Sequence, residues 1–162
     1  MKNKNYPKHS ILAIAILLTW IKTYVVYHTS FDMKIENVMQ QVILFINPLS
    51  FLLAVHGISL LFKSAKARNR YLLITSSILA IILYANVAFY RFFSDFITFP
   101  VLFQTSNFGD LGASAKETIY VSDVFYFIDV LLLFAAIKWL PNAKEATIVK
   151  PAIRRAYFVI SA

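Results

Sequence analysis

Five side chains have the chemistry to engage a charged or polar ligand and sit where few neighbours could satisfy them: Lys22, Asn86, Arg91, Asp95 and Asp129. Arginine presents a planar fork of donors that matches a phosphate, so Arg91 is the natural headgroup partner, while Asp95 could pair with a cation on a docking domain. Lys22, Asn86 and Asp129 each interrupt an apolar run, and a lone charge there would cost a few kcal/mol unless it is paired or reaches the interface. A Lys22–Asp129 pair with Asn86 nearby would remove that cost. His56 has no second ligand at metal spacing and reads as a satisfied core histidine. The chain has no cysteine, which excludes disulfides, thiolate metal sites and cysteine nucleophiles. Nothing matches HExxH, GxSxG, GxxxxGK[ST] or GxGxxG, so no residue is assigned as catalytic or metal-binding.

The elements that must position these groups are long apolar blocks. Of 162 residues, 59% are hydrophobic and only 15% charged, against about a quarter charged in soluble domains. Three glycines and five prolines are too few for a many-turned barrel, leaving an all-α integral membrane bundle. The first span is expected at about 11–27, closed by Trp20, Tyr24 and Tyr27 as aromatics close a span at an interface. It is too long, and too aromatic at its end, for a cleavable signal. The second lies at about 38–62 and contains Asn47-Pro48, which should kink it. A basic loop, KSAKARNR at 63–70, leads to a third span at 71–90. A fourth is expected at 124–140, introduced by Ser122-Asp123 as an N-cap pair and ended by Pro141. The chain turns apolar again at about 156, as if a fifth span began there and continued beyond Ala162.

Charge sets the expected orientation. Twelve of the sixteen Lys and Arg residues fall in 1–10, 63–70 and 138–155, whereas 28–37 and 91–123 hold three. Cytoplasmic loops collect basic residues, so the N-terminus belongs in the cytoplasm and the long 91–123 loop outside, in a multi-pass protein of the cell membrane. The same rule accounts for the net charge of +8 without nucleic acid. At the start of that loop, Phe92, Phe93, Phe96, Ile97 and Phe99 share an arc of roughly 160° on a helical wheel. This predicts an interfacial helix over about 91–103, rings in the acyl boundary. The plainer alternative extends the third span into water. Lys22, Asn86 and Asp129 then fall at similar depth, roughly 6–8 Å below the outer boundary. They could form a polar niche open to lipid headgroups, or they could be interhelical glue with a snorkelling lysine.

The third span carries the most distinctive run, Leu83–Pro100 (LYANVAFYRFFSDFITFP). With Trp20–Tyr24 (WIKTY), Leu44–Ser50 (LFINPLS) and Phe125–Asp129 (FYFID), it resembles the N-terminal membrane domain of lipoteichoic acid synthases, in order and at compatible spacing. The resemblance implies five spans followed by a linker and an extracellular sulfatase-like domain, absent from these residues, with a threonine nucleophile and manganese. That domain would transfer glycerol phosphate from phosphatidylglycerol to a polymer on a glycolipid of the Gram-positive envelope, releasing diacylglycerol. It also implies membrane lipids, the chain's own catalytic domain and other envelope-synthesis proteins as partners, and an inactive 162-residue piece. No nucleophile or metal ligand of that domain maps onto this chain. A stand-alone envelope scaffold is the alternative; a small transporter would favour inverted repeats and broken helices near the midplane, at which only Asn47-Pro48 hints, and no repeat is visible.

Overall fold

The computed structural model describes residues 10–97 and 119–140. Within them are four α-helices, α1 (Ser10–Ser30), α2 (Val38–Gly57), α3 (Ala65–Phe93) and α4 (Ile128–Trp139), and no strand. Three stretches are long and apolar enough to cross a membrane: Ile11–Ser30, Val38–Leu61 and Ala65–Phe93. Large apolar side chains such as Ile21, Phe51, Ile81 and Leu131 face outward and more than half exposed, while Thr19, Lys22, His56, Ser76 and Asp129 are buried. That arrangement, polar groups inward and apolar groups outward, suits a hydrocarbon surround.

Local chemistry sets each boundary. The Asn37 side chain caps α2 by accepting from the Gln40 N–H at 2.9 Å. Pro48 lies inside α2 and deprives the Leu44 carbonyl of its helical donor. One residue on, the Phe45 carbonyl accepts from Trp20 Nε1 of α1 at 2.8 Å, which clips the two helices together at the irregularity. Beyond Gly57 the second span tightens into a 3-10 turn, Ile58–Leu61.

The third helix begins earlier than the sequence suggests. Residues 65–70 of the expected basic loop are its first turns, because Ala65, Arg68, Asn69, Leu72, Ser76, Ala80 and Val87 form one buried stripe at helical spacing. Lys66 and Arg70 stay exposed on the opposite side, so the charges conceal a continuous inner face.

The separate interfacial helix expected over 91–103 is not found in its described part. Arg91–Phe93 is the last turn of α3, and Ser94 ends the helix in the left-handed region (φ 54°), its N–H donating to the Tyr90 carbonyl at 2.8 Å. A helical wheel registers which residues share a face but not a stop of this kind. Asp95–Ile97 is irregular, and 98–103 lies outside the described residues.

The fourth element is also composite. Val121–Phe127 is 3-10 and only Ile128–Trp139 is α. Its N-cap is Tyr120 instead of Ser122, with Asp123 reaching back to accept from the Tyr120 N–H at 2.9 Å. Leu140 is extended, as the residue before a proline tends to be. The expected fifth span at about 156 lies outside the described residues.

The core has two apolar ends and a polar middle. At the Ser64 end Ile11, Leu12, Ile16, Leu60, Leu72 and Leu133 pack together. At the Arg91 end Val26, Phe31 and Val87 do so, under a ring cluster in which Phe31 meets Tyr90 at 5.1 Å and Phe96 at 4.8 Å. The 3-10 start of the fourth element packs on α3, and α1 touches all three other helices.

Candidate functional site

Two charged pairs tie the fourth element to the rest of the bundle. Arg91, in the last turn of α3, meets Asp123 with both forks: Nη1 to Oδ2 and Nη2 to Oδ1, each 2.9 Å. Parallel bonds of this kind are among the strongest side-chain contacts. The same carboxylate accepts from the Tyr84 hydroxyl and the Tyr120 N–H, both at 2.9 Å. Tyr126 accepts from Arg91 Nη2 at 3.2 Å, and the guanidinium lies 5.0 Å from the centre of the Tyr120 ring. Burial works against a charged Asp123, but the bonds from Arg91, the Tyr120 backbone and Tyr84 outweigh it and hold the carboxyl below its ordinary range.

The second pair lies deeper. Lys22 Nζ of α1 is 2.8 Å from Asp129 Oδ2 of α4, with the side chains only 7% and 2% exposed. Thr19 donates to the same oxygen at 3.3 Å, while Asp129 Oδ1 is buried without a hydrogen-bond partner. The ion pair therefore carries most of the local compensation, in a setting where losing either partner would strand a charge.

Of the residues that sequence reasoning singled out, the structure brings Lys22 and Asp129 together and sets Asn86 apart. Asn86 Nδ2 donates to the Ile82 carbonyl at 3.0 Å, and its Oδ1 accepts from the Ile97 N–H at 3.2 Å, pinning the chain just past Ser94. Arg91 is engaged by Asp123 and so is not a bare guanidinium awaiting phosphate. Asp95 is exposed, and one of its oxygens accepts from the next residue's N–H at 2.7 Å. His56 is satisfied as expected, with Nδ1 by the Leu52 carbonyl at 3.2 Å and Nε2 by Ser76 Oγ at 3.1 Å. Among the described residues no three His, Asp or Glu side chains converge.

Sequence reasoning missed Asp123 as the partner of Arg91, and with it Tyr84, Tyr120 and Tyr126. The available signal was an opposite charge at each end of the 91–123 stretch, each beside an aromatic run. Thr19, a hydroxyl in the middle of an apolar block one turn before Lys22, was the other clue.

Two cavities flank these contacts. One of about 500 Å³ lies between α1 and the fourth element and includes Lys22, Arg91, Asp123 and Asp129 in its wall. The other, about 610 Å³, lies among α1, α2 and α3 and includes Asn47 and Asn86.

The family model for the lipoteichoic acid synthase N-terminal domain matches residues 1–162. The chain is 43% identical over 148 residues to the lipoteichoic acid synthase-like YvgJ of Bacillus subtilis, covering 90% of this chain and 24% of that protein. It is 46% identical over 127 residues to lipoteichoic acid synthase 2 of the same organism, covering 77% and 19%. With the lipoteichoic acid synthase of Staphylococcus aureus it shares 34% over 143 residues, covering 86% and 22%. The chain thus spans a quarter or less of the curated relatives it matches. No solved structure matches it.

Proposed function

The chain belongs to the lipoteichoic acid synthase N-terminal domain family, and from that premise we propose that it is the membrane-embedded part of a phosphoglycerol transferase. In this role it anchors an extracellular catalytic domain and positions it at the headgroup layer, where phosphatidylglycerol presents its phosphodiester. Tethering there replaces a search through the bulk with a high effective concentration of lipid. Manganese and the nucleophile belong to that further domain, and no step of the chemistry runs through the residues described above.

The observation that carries this reading is the tied-down end of the bundle at Arg91. Asp123 seats the fourth element on α3, and Phe92, Phe93 and Phe96, all at least 39% exposed, stand beside it. Exposed aromatic rings next to a fixed polar cluster suit the boundary between acyl chains and headgroups. Basic residues gather at the opposite end, which supports an outward-facing Arg91 end under the positive-inside rule. A fourth crossing that starts at Val124, just past Asp123, is compatible in length: four 3-10 residues and twelve α residues rise about 26 Å, close to the roughly 30 Å of a hydrocarbon core. A fifth crossing from about 156 would then deliver the rest of the polypeptide to the outer face.

Within this scheme Arg91 fixes the platform, and Asp95, exposed one turn away, is the docking candidate for a cation of the catalytic domain. Arg91→Ala in the full-length enzyme should lower polymer output at equal expression; unchanged polymer would remove Arg91 from the mechanism. Orientation has its own test, made simple by the absence of cysteine. In intact cells Asp95→Cys should react with an impermeant maleimide and Ser64→Cys should not. The reverse pattern would overturn the reading.

A further inference from the structure

The larger cavity is built like a lipid seat. α2 leans on α1 and scarcely touches α3, so a cleft opens between the second and third spans along the flank of the bundle. Phe51 and Ile82, 57% and 53% exposed, stand at its edges, and Leu52, 3% exposed, forms part of its floor. At about 610 Å³ it falls within the usual range of small-molecule sites.

Its polar groups narrow what could fill it. Asn86 spends both ends of its amide on the Ile82 carbonyl and the Ile97 N–H, and the Thr23 hydroxyl donates to the Thr19 carbonyl at 2.7 Å. Asn47 forms no side-chain hydrogen bond with any described residue, although it projects from an otherwise apolar stretch of α2 beside Pro48. An amide within a hydrocarbon layer needs a partner, since no bulk water reaches it. No charged side chain lines the cleft.

Apolar walls, one unspent amide, the Tyr27 hydroxyl and no charge suit a molecule with a long chain joined to uncharged oxygens. Water alone would leave the leucine walls wetted, and a purely apolar helix would leave Asn47 unpaired. A phosphate would find no cation in the cleft. We propose that the cleft seats one diacyl glycerolipid, an acyl chain lying along Leu52 and Leu79 and a glycerol-ester oxygen accepting from the Asn47 amide. Asn47 is six residues past Gln41, whose amide bonds Tyr24 and His28 at the end of the span. The seated lipid therefore rides roughly 9 Å deeper than one aligned with that polar edge. Its headgroup is not read by the cleft.

The inference needs the chain to cross a bilayer but not the transferase assignment, so lipid labelling and polymer output can fail separately. The test reconstitutes the protein in vesicles containing phosphatidylglycerol or phosphatidylcholine with a diazirine in mid-chain, and maps photoadducts by peptide mass spectrometry. Adducts on Leu52 and Leu79 are expected with both lipids. Asn47→Leu should reduce them several-fold, and Leu79→Trp, which plugs the cleft, should abolish them at Leu52. Labelling of Leu131 and Phe134, exposed on α4, should persist in both variants and certify the fold. Unlabelled Leu52 in the parent protein would overturn the proposal, whether a second copy, another part of the chain or nothing fills the cleft. So would equal labelling in the Asn47→Leu protein, or a strong preference for either headgroup.

Discussion

The two charged pairs solve the same problem in opposite ways. Arg91–Asp123 sits at the end of the bundle with the arginine side chain 25% exposed, and the carboxylate accepts four hydrogen bonds from three residues. Lys22–Asp129 sits in the polar middle, almost closed off, with one ionic contact, one long bond from Thr19 and an oxygen left over. Redundancy protects the first pair: taking away one bond leaves others, and water can reach the site. The second has little besides mutual neutralisation. Connectivity as well as burial therefore determines what a substitution does.

The largest effect should come from breaking the deeper pair on one side. Lys22→Met leaves Asp129 uncompensated and should cost about 3–5 kcal/mol, read from the unfolding midpoint in detergent. Adding Asp129→Leu should return most of that stability, since two apolar side chains need no partner. If the double variant stays as unstable as the single one, the middle of the bundle relies on more than neutralised charge.

At the bundle end the response should be smaller and should depend on acid. Asp123→Asn keeps the shape but weakens the fork, at about 1.5–3 kcal/mol near neutral pH. The native carboxyl is held below its ordinary range, so its contribution is complete above the unfolded-state value and fades as pH falls through the lower native one. The gap between parent and Asp123→Asn should accordingly stay constant from pH 8 to 5 and close only in stronger acid. A gap that narrowed already at pH 6 would mean that another group governs this end.

The smallest change should go the other way. Ser94 holds φ 54°, a conformation that costs a residue with a Cβ but not glycine. Ser94→Gly should raise stability by roughly 0.5–1 kcal/mol, provided the chain still turns toward Asn86. It touches neither ion pair, so their difference should survive intact.

Legibility in the sequence followed the same divide. Span existence was readable wherever an apolar run stood alone, and Lys22–Asp129 was readable because opposite charges in hydrocarbon have few other solutions. Helix ends were harder. Arg68 and Asn69 look like loop residues until Leu72, Ser76 and Ala80 show that they continue a buried stripe. The aromatic periodicity at 92–99 pointed to a new helix, yet one left-handed serine stops α3 within that run. Arg91 stands out in the sequence and reads as a lipid partner, because Asp123 lies 32 positions further on and no local pattern encodes their meeting.

That closure has a consequence for the length of what lies between. Arg91 and Asp123 are 32 positions apart and 2.9 Å from contact to contact, so the intervening chain leaves and returns at one fixed doorway. The penalty for such an excursion grows only with the logarithm of its length, about 0.6 kcal/mol per doubling. Lengthening or shortening the excursion between the two residues should therefore change the cost of closing the Arg91–Asp123 contact only slightly.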